Sequence, residues 1–311
     1  MPKRSRAATA FEASDPPRAG RGGRTASSLL ALAATLLGPA SAPAWLVEGH
    51  RRIAVAAVEV LPVEVPATFR ESAETIGQLS KEPDVWKNRA TVHLRDGESP
   101  EHYLDIERFR GAALPELRSA ALRWIGSLGL DVGEVGLLPW AIVEESERLT
   151  LAFAELRRWP GDEAARVQAL AVAGRLAHYG ADLVQPLHTT IHHDGWALPD
   201  DSAPRDGTHF RIDGLLEAVE IDRKGALDAL EVPIYEDPVA AVRAEFAASH
   251  ALVDRTYEID RRLVEPDGAE DPEVVAFACE RYRAGVRFVA GLMRAAWEAS
   301  ARIELPEWLE R

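Results

Sequence analysis

An all-α fold is the expectation for this 311-residue chain, and three observations carry it. Apolar residues recur at helical rather than alternating spacing along most of the sequence. Proline and glycine breaks fall between those stretches instead of inside them. Strand signals, meaning β-branched runs with a period of two, are scarce. A composition of 47% apolar and 28% charged residues is that of a folded globular protein. The length suffices for one large core. With no internal repeat and no Pro/Ser-rich linker, a single domain is expected over residues 45–311.

Residues 1–44 read as a secretory leader. Lys3, Arg4, Arg6, Arg18, Arg21 and Arg24 form a basic lead, and an apolar run from Leu29 to Leu37 follows. Ala42-Pro43-Ala44 then supplies an A-x-A cleavage site. The apolar run is shorter than the about 20 residues a bilayer span needs. The basic lead is unusually long for a signal. The expectation is export, to the periplasm or beyond, with cleavage before Trp45.

The helices follow in order. Trp45 to Leu61 is apolar at helical spacing and stops near Pro62, and Val65 to Leu79 gives a second, shorter helix. Pro115 to Leu128 is ended by Gly129. Pro139 opens a helix running to Trp159, with Ile142, Leu149, Phe153 and Leu156 at core spacing, and Pro160-Gly161 breaks it. Asp162 then caps a long helix through Val184, in which Leu170, Gly174, Ala177 and Ala181 suit close packing. Further helices are predicted at Thr208–Glu220, Pro238–Leu263 and Asp271–Ile303. Segments 80–114 and 185–207, rich in Pro, Gly, Asp and His, read as loops. Cys279, Trp140 and Trp196 read as core residues.

Charge and cysteine usage exclude several functions. With 36 Lys+Arg against 50 Asp+Glu, the net charge is −14. A nonspecific duplex-DNA binder needs cations to displace counterions from phosphates. An enzyme that meets a phosphodiester through metal ions does not. The single cysteine excludes an internal disulfide framework and every multi-thiolate zinc site. A metal here must be held by His and carboxylate.

Seven of the nine histidines fall in or beside short strings that also carry carboxylates or their amides. In His178-Tyr-Gly-Ala-Asp182 the two ligand-type side chains are four apart, on one helix face and one turn apart. Gln185-Pro186-Leu187-His188 follows, where the proline ends the helix and turns another imidazole back. His209-Phe-Arg-Ile-Asp213 repeats the four-residue offset. Upstream lie Pro83-Asp84 and His102-Tyr103-Leu104-Asp105, and near the expected mature terminus Trp45-Leu-Val-Glu48-Gly-His50. Each string alone is as readily a hydrogen-bonded surface pair, a turn residue or a packing anchor. Together they offer more nitrogen and oxygen ligands than one zinc ion, which takes about four, can use. The set suits two or three ions.

In order and spacing these strings resemble the superfamily of fungal single-strand-specific zinc nucleases and bacterial zinc-dependent phospholipases C. The resemblance covers Trp45 to about Asp213. It implies an all-α fold of the phospholipase C/nuclease type, a trinuclear site with three Zn2+, and a terminal Trp whose free amine and carbonyl bind metal. Carried over, it implies that Trp45, His50 and Asp182 hold one ion. Asp84, His102, His178 and Asp182 would hold a second, with Asp182 bridging, and His188, His209 and Asp213 a third. Asp84 is also the implied catalytic residue, orienting or deprotonating the attacking water. The nucleases carry an Arg three residues after the counterpart of Asp84. Here that position is Lys87, with Arg89 two further on, both candidates for the substrate phosphate. Lys offers a point charge in place of a bidentate fork.

Two features lean toward nucleic acid as substrate. Tyr103 and Asp105 stand where the nucleases stack and hydrogen-bond a base, and Asp213 stands where the phospholipases use Glu. Glu48 leans the other way, since the phospholipases carry a Glu there near the lipid head group. The expectation is therefore a secreted phosphodiester hydrolase acting on single-stranded nucleic acid or nucleotides. A phospholipase C acting on phosphatidylcholine-like lipid is the alternative. A monomer without stable membrane insertion is expected. Two readings lie outside this pair: His193-Asp194 as the metal pair of an HD-type phosphohydrolase, and a non-catalytic helical protein whose histidines bind metal or buffer.

Overall fold

Capping aspartates mark where several of the helices begin. The computed structural model describes residues 45–200 and 204–309. The leader expected over residues 1–44 lies outside the described residues. In chain order the helices are α1 (Val47–Glu59), α2 (Ala67–Arg70), α3 (Ala73–Leu79), α4 (Glu82–Trp86), α5 (Val92–Glu98), α6 (Arg118–Ser127) and α7 (Leu138–Arg158). There follow α8 (Glu163–Val184), α9 (Thr208–Asp213), α10 (Leu215–Ala218), α11 (Arg223–Ala226), α12 (Pro238–His250), α13 (Val253–Leu263) and α14 (Pro272–Ser300). Asp162 opens α8 by accepting from the amides of Ala164 and Ala165 at 2.8 and 3.1 Å. Asp237 and Asp271 do the same for α12 and α14, each followed by a proline at the first helical position. Among the described residues there is no strand, only isolated bridges pairing Leu104 with Gly136 and His193 with Gly195.

The core lies where α7, α8 and α14 pack on one another and α1 closes against α3, α8 and α14. Phe153 is fully buried there, edge-on to Phe69 and Trp297 at 4.9 and 5.4 Å. The small residues of α8 do what their spacing predicts. A side-chain carbon at Gly174 would sit 2.7 Å from Leu79 Cβ, so α3 and α8 meet at backbone distance. That approach brings the chain leaving α3 onto α8 one turn further on, beside His178.

Several predicted helices are shorter or divided, each for a local reason. The stretch predicted over 65–79 breaks into α2 and α3 around Ser72, whose hydroxyl donates back to the Thr68 carbonyl. The helix predicted over 208–220 divides at Gly214 into α9 and α10 because the Asp213 carbonyl accepts from Leu46 N (3.0 Å) while Glu217 N turns to the Gly214 carbonyl. The long helix predicted over 238–263 turns at Ala251–Leu252. Its first half packs on α7 and α8, and its second on α9 and α14. Segment 80–114, read as loop, holds α4, α5 and two short 3-10 turns at Ser99–His102 and Ile106–Phe109. These are too short to show apolar periodicity. Among its described residues, segment 185–207 holds one 3-10 turn, Pro186–Thr189, which Gln185 caps by accepting from Leu187 N.

Of the three residues read as core, Trp140 is buried, but Trp196 is 48% exposed, stacked on Tyr257, and Cys279 is half-buried. Trp196 stands at the turn after His193, where Gly195 takes a positive φ and the chain projects outward.

Candidate metal centre

Helix α8 supplies the centre of the site. His178 and Asp182, one turn apart on its buried face, are both fully buried. The chain leaving α3 presents the Ser80 carbonyl to His178 Nδ1 at 2.7 Å. That partner fixes the proton on Nδ1 and leaves the Nε2 lone pair facing inward. His50, from the first turns of α1, stacks on His178 with ring centroids 3.9 Å apart. Its Nε2 lies 3.3 Å from Asp182 Oδ1. His102 reaches the other oxygen: its Nδ1 is 3.0 Å from Asp182 Oδ2 and 3.1 Å from His178 Nε2. Asp182 thus offers one oxygen to each of two neighbouring imidazoles, the disposition of a bridging carboxylate.

A second group forms beyond Asp182. Pro186 ends α8 and the 3-10 turn aims His188 back, its Nδ1–H donating to the His102 carbonyl at 2.5 Å. His188 Nε2 then lies 3.1 Å from His209 Nε2 and 3.7 Å from Asp213 Oδ1, with His209 Nε2 3.3 Å from Asp213 Oδ2. Gln185 holds Asp213 by donating to Oδ1 at 2.7 Å.

Three sets of ligand atoms therefore converge, each within 4.8 Å: His50/His178/Asp182, Asp84/His102/His178, and His188/His209/Asp213. The last matches the expected third site in full. The first two hold all the expected side chains of the close pair. Trp45, the remaining expected ligand, is fully buried beside them. Its indole donates to the Ala181 carbonyl at 2.8 Å, and the next amide donates to Asp213.

The chemistry of this cluster calls for cations. His188 and His178 have each spent their N–H on a carbonyl, so the nitrogens they turn toward His209 and His102 carry lone pairs. Each can therefore accept a hydrogen bond from the ring about 3 Å away or, where that ring also turns a lone pair inward, share a cation with it. The buried polar atoms without a hydrogen-bond partner include both nitrogens of His50, Asp84 Oδ2, His102 Nε2, Asp182 Oδ1 and Asp213 Oδ2. Burial holds His50, His102 and His178 well below the usual imidazole range and brings His188 to about 4 and His209 to about 3. They are neutral and available as ligands. Burial lifts Asp213 to about 7 and, reinforced by Asp84, raises Asp182 well above the ordinary carboxylate. A divalent ion at each set would reverse that cost. Imidazole and carboxylate donors fit a borderline divalent metal ion.

The substrate candidates are placed variously. Lys87 Nζ is 2.7 Å from Asp84 Oδ1 and 3.5 Å from His102 Nδ1, inside the cluster, while Arg89 is exposed. Tyr103 is half-buried, its hydroxyl donating to the Gly133 carbonyl at 2.5 Å. Asp105 is buried, which raises its carboxyl to about 8, so it is protonated at neutral pH and able to donate. Glu48 lies on α1 with its carboxylate engaged by Arg51 at 2.7 and 2.8 Å and by Arg52 at 3.3 Å. Asp194, of the His193-Asp194 pair, accepts from the amides of Gly207 and His209 and so caps the entry to α9.

Two residues of the centre escaped the sequence reading. Glu98 places Oε1 3.3 Å from His102 Nε2, and Tyr179 donates to the same oxygen at 2.5 Å. Burial lifts Glu98 to about 7 against the lowering effect of that hydroxyl. Their signal was the four-residue spacing Glu98-x-x-x-His102, hidden inside a segment read as loop. Comparison with protein-family models and with curated proteins finds no match to this chain.

Proposed function

We propose that the protein is an exported zinc-dependent phosphodiester hydrolase of the phospholipase C/nuclease type, cleaving single-stranded nucleic acid or nucleotides. The observation that carries this reading is the convergence of three buried His/carboxylate sets on α8 and its flanking segments, each with its ligand atoms within 4.8 Å of one another. Zinc held by these residues would supply Lewis acidity to phosphoryl oxygens and make water nucleophilic near neutral pH. Asp84, whose Oδ1 meets Lys87 Nζ at 2.7 Å and whose Oδ2 lacks a hydrogen-bond partner, is the group able to orient the attacking water and accept its proton. Lys87 carries a positive charge into the same space, and that charge acts on His102 and His178. It would meet a nonbridging phosphate oxygen in place of the nucleases' Arg. Tyr103 and a protonated Asp105 flank His102 and would receive a base by stacking and hydrogen bonding, stacking alone contributing about 1–3 kcal/mol.

The phospholipase alternative rested on Glu48 meeting a cationic head group. Two arginines already hold that carboxylate, which favours the nuclease reading. No helix of the described residues is long and apolar enough to cross a membrane. The test uses protein beginning at Trp45 and times the hydrolysis of single-stranded DNA and of phosphatidylcholine vesicles side by side, with and without chelator. Chelator-sensitive DNA cleavage is expected. Lipid cleavage alone would move the assignment to the phospholipases, and cleavage of neither would overturn it.

A further inference from the structure

We infer that Glu98, held by Tyr179, is a positioning residue that fixes the orientation of His102 toward the metal pair. The inference rests on the metal-centre reading above and adds to it a group outside the ligand set. His102 turns Nδ1 toward Asp182 and His178, at 3.0 and 3.1 Å, so that nitrogen must present a lone pair to bind. The ring proton then belongs on Nε2. Among the contacts of that buried nitrogen, Glu98 Oε1 at 3.3 Å is the acceptor in reach. The distance exceeds that of an ordinary N–H···O bond, and Nε2 otherwise has no hydrogen-bond partner. A cation on Nδ1 would make Nε2–H more acidic and draw the contact in.

Glu98 is itself well placed to do this. It is 7% exposed, ends α5, and stands one turn before His102. The Tyr179 hydroxyl donates to the same Oε1 at 2.5 Å. Tyr179 directly follows His178 on α8, so one helix bears both a ligand of the pair and the group that anchors the opposing ligand's support. The other two imidazoles with an assigned proton use backbone carbonyls, Ser80 for His178 and His102 itself for His188. His102 alone among these three depends on a side chain. Carboxylate support of this kind orients a ligating histidine and makes it more basic, and its loss costs about 10–100-fold in metal affinity.

The experiment measures zinc binding by competition with a chromophoric chelator, and the visible spectrum with cobalt in place of zinc. It compares wild type, Glu98→Ala, Glu98→Gln and Tyr179→Phe. Glu98→Ala is expected to weaken one ion of the set by about 10–100-fold and to change the cobalt spectrum of that ion, while leaving the ion of the His188/His209/Asp213 set unchanged. Glu98→Gln, whose amide oxygen still accepts from Nε2–H, is expected to recover most of the loss, and Tyr179→Phe to lose less than Glu98→Ala. Wild-type affinity and spectrum in Glu98→Ala would overturn the inference while the metal centre stands. So would equal weakening of every ion, which would mark a merely structural role, or a Gln variant no better than Ala. If wild type itself bound no ion, the metal-centre reading would fall first and the inference with it.

Discussion

Chelation should cost this protein a large part of its folding stability. Several buried ligand atoms have no hydrogen-bond partner in the protein: both nitrogens of His50, Asp84 Oδ2, Asp182 Oδ1 and Asp213 Oδ2. An ion that binds only the folded chain stabilises it by about 2.7 kcal/mol when free metal is 100 times its Kd. Three ions, one per ligand set, would together contribute about 8 kcal/mol. That is comparable with the about 5–15 kcal/mol by which domains are stable at all. It is an upper figure, because two of the sets share His178 and so do not bind independently. At about 2 °C per kcal/mol for a chain of this size, the expected fall in Tm is about 15 °C.

The assay is differential scanning calorimetry of one preparation, dialysed against chelator and then restored with a slight excess of zinc. Restoration should return the Tm, and the transition should move with free zinc concentration. A Tm that shifts by less than about 2 °C between chelated and restored protein would refute the reasoning. It would mean that the converging nitrogens and carboxylates find their compensation without metal.

Two further outcomes are expected. In protein that begins at Trp45, as the proposal requires, adding one residue before it should lower the zinc content by one ion, read by elemental mass spectrometry, since the terminal amine would then lie away from His50 and Asp182; an unchanged count would refute the role proposed for that amine. Gly136→Ala should destabilise the protein by about 2 kcal/mol or more in urea unfolding, because Gly136 has a φ of +86° and an added carbon would overlap the Tyr103 carbonyl; a neutral result would show that the 103–105 strip can shift without cost.

The helical architecture was legible because long helices announce themselves. The runs from 139, 162 and 271 bury one face for many turns and begin at Pro or Asp, so period and cap agree. What could not be read was tertiary. The break after Asp213 exists because Leu46, distant in sequence, claims its carbonyl. The turn at Ala251 exists because the two halves of the run meet different partners, and α4 and α5 are too short for a period to show. The ligand strings were legible for the same local reason as the helices, four-residue offsets putting two side chains on one face. Glu98 carried that offset too, but without a helix to place it on, its spacing meant nothing.

The burial of the ligands explains why site and core share elements. On α8, Gly174, His178 and Asp182 follow one another at four-residue steps along one face. Gly174 admits the backbone of α3, and that approach delivers the Ser80 carbonyl which fixes the proton of His178. His178 in turn stacks on His50, and Asp182 divides its oxygens between His50 and His102. A larger residue at 174 would push α3 away and release the His178 ring before touching any ligand. Packing density is therefore what sets the tautomer of His178 and leaves its Nε2 lone pair turned toward His102. An exposed site could tolerate loose ligands by letting water complete them. Here water is excluded from most of the ligand atoms, so geometry has to be imposed by neighbours: Ser80 for His178, the His102 carbonyl for His188, Gln185 for Asp213 and Glu98 for His102. The same exclusion makes each buried carboxylate costly in the metal-free chain. Tight packing, the clustering of possible ligands and the stability gain expected of a bound metal thus trace to one arrangement centred on a single helix face.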